Sequence, residues 1–191
     1  GSNSLTLSTG DNVANTDISA SGAISGVTTL TLSDVGGTAT LSGDVDVTTL
    51  TVGSTVANLA FTGNGSSVTS AVVFANDGTL TLGASGGTQT YGGGLTTTGV
   101  GSTVTLNGTI ATSNDAVVLG AVTLGSATTV DTNATSNAAD ITVAAITGGS
   151  NNLTLSTGDN ITGADVTASG AISGLGNLTL ADVGGTATFS A

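Results

Sequence analysis

Chemistry in this chain has to be done by carboxylates. All twelve acidic residues are Asp, and Lys, Arg, His, Glu and Cys are absent. Asp44 and Asp46 lie two apart, so on a strand they share one face, and with stacked neighbours they could hold Ca²⁺, a hard cation that takes oxygen ligands. Paired carboxylates also run acid–base chemistry, as in glycoside hydrolysis, and Asp44 with Asp46 or Asp11 with Asp17 are the only local pairs. Nothing beside them suggests a substrate. The aromatic residues are Phe61, Phe74, Tyr91 and Phe189, too few for a sugar-stacking surface. Asp11, Asp34, Asp77 and Asp159 sit beside Gly or Asn and read as turn formers. The residues therefore assign no catalytic, cofactor-binding or metal-binding site. The expectation is a non-catalytic protein without a cofactor, Ca²⁺ being the one ion its side chains suit.

Composition excludes other classes. Without His, Cys, Lys or Arg, most nucleophile–base pairs cannot be built. A net charge of −12 with no cation repels a nucleic-acid backbone and anionic membrane surfaces. Zinc, haem and iron–sulfur groups lack their usual donors, and there can be no disulfide framework. No apolar run approaches the ~18 residues of a spanning helix. The chain offers little to oxidise and no site for trypsin-like proteases. Such a composition fits a protein exported in bulk, so the expected location is extracellular, at a cell surface.

What would position these residues is a repeat. Residues 1–43 recur at 149–191, offset by 148 without gaps, with 30 identities in 43 positions. Residues 1–148 read as one long repeat and 149–191 as the start of the next copy, continuous and without a linker. Within the repeat the hydrophobic period is two: Ser4-Leu5-Thr6-Leu7-Ser8, Thr29-Leu30-Thr31-Leu32-Ser33 and Thr79-Leu80-Thr81-Leu82 alternate as half-buried strands do. Gly, Asn and Asp clusters such as Thr9-Gly10-Asp11-Asn12 and Asp34-Val35-Gly36-Gly37 separate the runs. Between the copies, apolar positions exchange for apolar ones (Val13/Ile161, Ile18/Val166, Val27/Leu175, Leu41/Phe189), whereas Asn15/Gly163 and Thr28/Gly176 change character. These patterns predict an all-β solenoid of stacked coils of about 18–25 residues, with seven coils of about 21 residues sharing each repeat.

Thr-x-Thr pairs recur, at Thr29/Thr31, Thr49/Thr51, Thr79/Thr81 and Thr103/Thr105 among others. Thr arrays on a flat solenoid face resemble those of some ice-binding proteins. That function needs rows that line up, and strand-end spacings of 12 to 30 residues argue against it.

The runs Asn-Leu-Thr-Leu, Gly-Ala-Ile-Ser-Gly and Asp-Val-Gly-Gly-Thr-Ala-Thr resemble, in rhythm and composition and over the whole chain, the β-strand-repeat regions of giant bacterial surface proteins of the filamentous-haemagglutinin and autotransporter-adhesin type. The resemblance implies a right-handed parallel β-helix, export to the cell surface, and a role as stalk, fibre or adhesin. The expected partners are further copies of the repeat, in cis or in a homo-oligomeric filament, with any receptor engaged elsewhere in a longer protein. No nucleic-acid partner and no membrane insertion of this segment is expected. The alternative is a surface-layer or calcium-dependent lattice protein.

Overall fold

Three ladders of parallel strands run the length of the molecule, each forming one face of a three-sided prism filled by side chains. The computed structural model describes residues 2–136 and 139–190; among these there is no helix, and the chain winds through about eight coils. The first face stacks Ser4–Ser8, Thr29–Ser33, Thr49–Val52, Val72–Val73 and Leu95–Thr96, then residues 117–119, 141–143, Val166–Ala168 and Ala187–Phe189. Between Thr49–Val52 and Val72–Val73 the stack is carried by Ser70 N–H donating to Thr48 O at 2.8 Å. The second face begins with Ile18–Ala20, Val35–Leu41, Val56–Phe61 and Leu80–Leu82 and ends at Ile172–Ser173. The third begins at the Ile24–Val45 bridge and runs through Asp46–Val47, Ser67–Val68 and Thr88–Tyr91 to Leu153–Gly158 and Leu178–Ala181. Val117–Ala134 bends round two corners and contributes to all three faces.

The period-two pattern dictates this packing. Successive side chains of a strand point to opposite sides, so Leu30 and Leu32 fill the interior while Thr31 faces out. Parallel, in-register stacking then sets like on like: Leu5, Leu30 and Leu50 form one interior column, and Thr6, Thr31 and Thr51 one exterior column. The interior is thin and mostly aliphatic. Its widest contents cluster mid-chain, where Tyr91 meets Phe61 and Phe74 edge-on at centroid distances of 6.5 and 6.2 Å. Gln89, also buried, accepts from the Tyr91 hydroxyl at 2.9 Å and donates to Phe61 O at 2.9 Å. Burial pushes the Tyr91 phenol well above its ordinary range.

The corners are made by residues that tolerate a left-handed backbone. Asp34, at φ 51°, is the single residue between Thr29–Ser33 and Val35–Leu41 and turns the chain from the first face to the second. Gly37 follows for a different reason: a Cβ there would sit 2.1 Å from Asp17 Oδ1. The second copy repeats both features, with Asp182 at φ 51° and Gly185 at 2.1 Å from Asp165 Oδ1.

The two copies nevertheless occupy different faces. Leu5 stands on the first face of the first coil, whereas its counterpart Leu153 stands on the third face of the seventh. Ile18 of the second face corresponds to Val166 of the first, and Ile24 of the third to Ile172 of the second. The 148-residue repeat thus spans six coils and two further faces, twenty faces in all, instead of the seven whole coils expected from its length. Coil spacing within a face runs from 18 residues (Val104 to Val122) to 26 (Ile146 to Ile172). The strand ends that gave spacings of 12 to 30 belong to different faces.

Removing a mid-solenoid ring tests this core. Phe61→Ala is expected to cost about 3–5 kcal/mol, and the outward Thr81→Ala within about 0.5 kcal/mol, in urea unfolding followed by circular dichroism.

Candidate functional site

The carboxylates and side-chain amides are placed by the entries to the strands. Asp17 precedes Ile18–Ala20, and its Oδ1 accepts from Thr38 N–H of the next coil at 2.7 Å. Asp44 Oδ1 accepts from Gly65 N–H at 2.8 Å, Asn58 Oδ1 from Thr79 N–H at 3.0 Å, Asp140 Oδ1 from Asp165 N–H at 2.9 Å, and Asp165 Oδ1 from Thr186 N–H at 2.6 Å. Four of these residues precede a face at a corner, and Asn58 lies within Val56–Phe61 beside the register shift of its ladder, positions where a ladder carbonyl would otherwise pair with that N–H. The side-chain oxygen takes its place. These groups form clasps between coils.

This settles where the sequence candidates lie. Asp44 and Asp46 do share the outward side of one segment, on either side of the buried Val45. Asp44 is occupied by Gly65, while Asp46 is exposed and stacks on Ser67, so no second carboxylate lies above it in the column. Asp17 is engaged by Thr38, and Asp11 sits in an exposed turn at φ 43°. Asp34 turns a corner, and its carbonyl accepts from the Thr9 hydroxyl at 2.7 Å. Asp77 and Asp159 are exposed loop residues whose N–H groups donate to Val56 O and Ala134 O of the preceding coil. Among the described residues no three acidic side chains come together in a group that could hold a metal ion.

The clasps had a sequence signal that turn chemistry obscured. In Asp17-Ile18, Asp44-Val45, Asp140-Ile141 and Asp165-Val166, an Asp stands directly before the first inward apolar residue of a face, whereas Asn58 lies within Val56–Phe61, after the buried Val56. The two copies preserve the pattern across the change of face. Asp17–Thr38 recurs as Asp165–Thr186, and Thr9–Asp34 as Thr157–Asp182 at 2.8 Å. Corner geometry therefore follows local sequence and ignores which face it serves.

Among the described residues the surface also carries depressions, the widest of about 490 Å³ beside Gly86, Gly108 and Thr128. On the second face Thr81, Thr105, Thr123 and Thr147 stand in one exterior column in strict register, although the coils between them contain 24, 18 and 24 residues. Extra residues are absorbed at corners, so unequal coil length does not misalign the rows. A shallow trough of about 210 Å³ runs beside this column past Thr103, Ala121 and Ala145. At the C-terminal end an apolar depression of about 380 Å³ is lined by Ile172, Leu175, Leu178 and Phe189.

No family model, no curated protein and no solved structure matches this chain.

Deleting one clasp tests its role. Asp165→Ala should cost about 1 kcal/mol and speed amide exchange at Thr186. Asp165→Asn, which keeps an acceptor oxygen, should recover more than half of the loss in the same thermal melts.

Proposed function

We propose that this chain is a non-catalytic, repeating structural segment of an extracellular bacterial filament or adhesin stalk. The observation that carries the reading is the passage of the second copy into the same stack: residues 141–158 cross the repeat boundary within one coil, and the corner bonds of the first copy re-form in the second. A fold that adds a copy by adding coils builds length, and its work is mechanical. Backbone ladders resist shear between coils, Asx clasps hold the corners, and the apolar interior excludes water along the axis. Partners are further copies of the repeat, joined in cis or stacked end to end, with receptor binding left to other parts of a longer protein. The acidic surface disfavours side-to-side aggregation of such fibres. Residues with clasp or corner duties account for much of the Asp content without recourse to catalysis.

Immunogold electron microscopy of the native cells, with antibodies raised against this chain, tests the reading. Label is expected along thin filaments projecting from the cell surface. Label confined to the cytoplasm would overturn it.

A second reading rests on the Thr81–Thr105–Thr123–Thr147 column. Hydroxyl and methyl groups repeated in register at about 4.8 Å could order water, as in an ice-binding surface. Under that reading the chain inhibits ice recrystallisation at micromolar concentration and Thr123→Lys abolishes the effect. Equal ice growth with the chain and with an inert protein removes it.

A further inference from the structure

We infer that the C-terminal edge is a docking surface for a coil of this repeat's own sequence, the counterpart of residues 44–63 in an adjoining copy. The inference deepens the reading of the chain as a repeating segment and rests on it. Leu178, Leu180 and Phe189 are 40%, 42% and 44% exposed, whereas their counterparts one repeat earlier, Leu30, Leu32 and Leu41, are 0%, 0% and 1% exposed. The difference is what lies above them. Leu30 and Leu32 are covered by Leu50 and Val52, Leu41 by Phe61, and Ile24 by Val45. All the covering residues belong to the one coil that follows.

The edge is already shaped for that coil. Its lower bonds match those of the first copy, Thr157–Asp182 at 2.8 Å against Thr9–Asp34 at 2.7 Å, and Asp165–Thr186 at 2.6 Å against Asp17–Thr38 at 2.7 Å. The apolar depression lined by Ile172, Leu178 and Phe189 lies where Val45, Leu50 and Phe61 sit in the first copy. An arbitrary apolar partner would not serve. The covering coil must present three parallel strands at once, a hydroxyl to the corner amide as Thr55 Oγ1 does to Asp34 N–H at 2.9 Å, and glycine where backbones meet. A Cβ on Gly53 would lie 3.3 Å from Leu32 O, whose counterpart at the edge is Leu180 O. Residues 44–63 meet all three demands.

Docking in this way fixes how copies are phased. Because the repeat spans twenty faces, the docked coil carries each strand one face away from its place in the first copy. Every surface feature then recurs on the next face after about 32 Å of rise and returns to its own face after three copies, about 96 Å. A patch on this repeat is thereby presented in all three directions around a fibre.

The test appends the sequence of residues 44–63 directly after Ala191 of the whole chain, and a shuffled extension of the same composition to a second sample. Hydrogen–deuterium exchange is then read on peptic peptides covering 172–190. The native-order extension should slow exchange at 178–181 and 187–189 at least tenfold, towards the rates of 30–33 and 39–41. The shuffled extension should leave them fast. Unchanged edge exchange with the native-order extension, while residues 29–134 stay protected, would overturn the proposal, as would equal protection by the shuffled extension. Neither result depends on where the protein resides, so failure here is separable from failure of the surface-filament reading.

Discussion

A single coil of this molecule cannot satisfy its own backbone. Its strands lie on three separate faces, so the N–H and C=O groups along each strand find partners only in the coils above and below. That constraint, coil-to-coil pairing of every strand, governs the rest. It forces parallel, in-register stacking, which sets Leu on Leu inside and Thr on Thr outside. It also makes stability a nearest-neighbour property, as in other one-dimensional repeat folds. Where a corner pulls the backbone out of line, the ladder is repaired by Asp or Asn side chains, as at Asp17, Asp44 and Asp165. An end coil is incomplete by construction, which is why apolar residues lie exposed at Leu178, Leu180 and Phe189.

The three faces are chemically interchangeable. Strands on all three faces include short alternations of apolar and hydroxyl residues, such as Thr29–Ser33, Leu80–Leu82 and Leu178–Ala181. Asp34 and Asp182 turn the chain through the same backbone conformation although one joins the first face to the second and the other the third to the first. Such indifference lets a 148-residue repeat close on twenty faces, the junction turning through left-handed Gly149 and Ser150. The aromatic group of Phe61, Phe74 and Tyr91 is the exception, since its contacts cross between faces and tie it to one level of the prism.

The strands, their inward residues and the solenoid class were legible because alternation with Leu and Val has one physical meaning on a half-buried strand. Leu30, Leu32, Leu80 and Leu82 lie inside as their spacing requires. What the sequence could not show was which face each strand joins. Leu7, Leu82 and Leu155 close similar alternating runs, yet stand on the first, second and third faces. Without that information the repeat length divides into whole coils although faces are the unit, and spacings counted across faces conceal the aligned Thr rows. The Asx residues were half legible. Their place beside Gly and Asn marks corners, but the bond from Asp17 to an amide 21 residues away depends on stacking register, which no local pattern encodes.

Faces, not coils, are the unit on which copies are built. Cryo-electron microscopy of three tandem copies of the repeat, each carrying a biotin–streptavidin mark on Ser54→Cys, tests this most directly. Density should be layered at about 4.8 Å, with successive marks about 32 Å apart along the axis and stepping one face at a time around it. Marks aligned along a single face at about 34 Å intervals, or a string of separate globules, would contradict it.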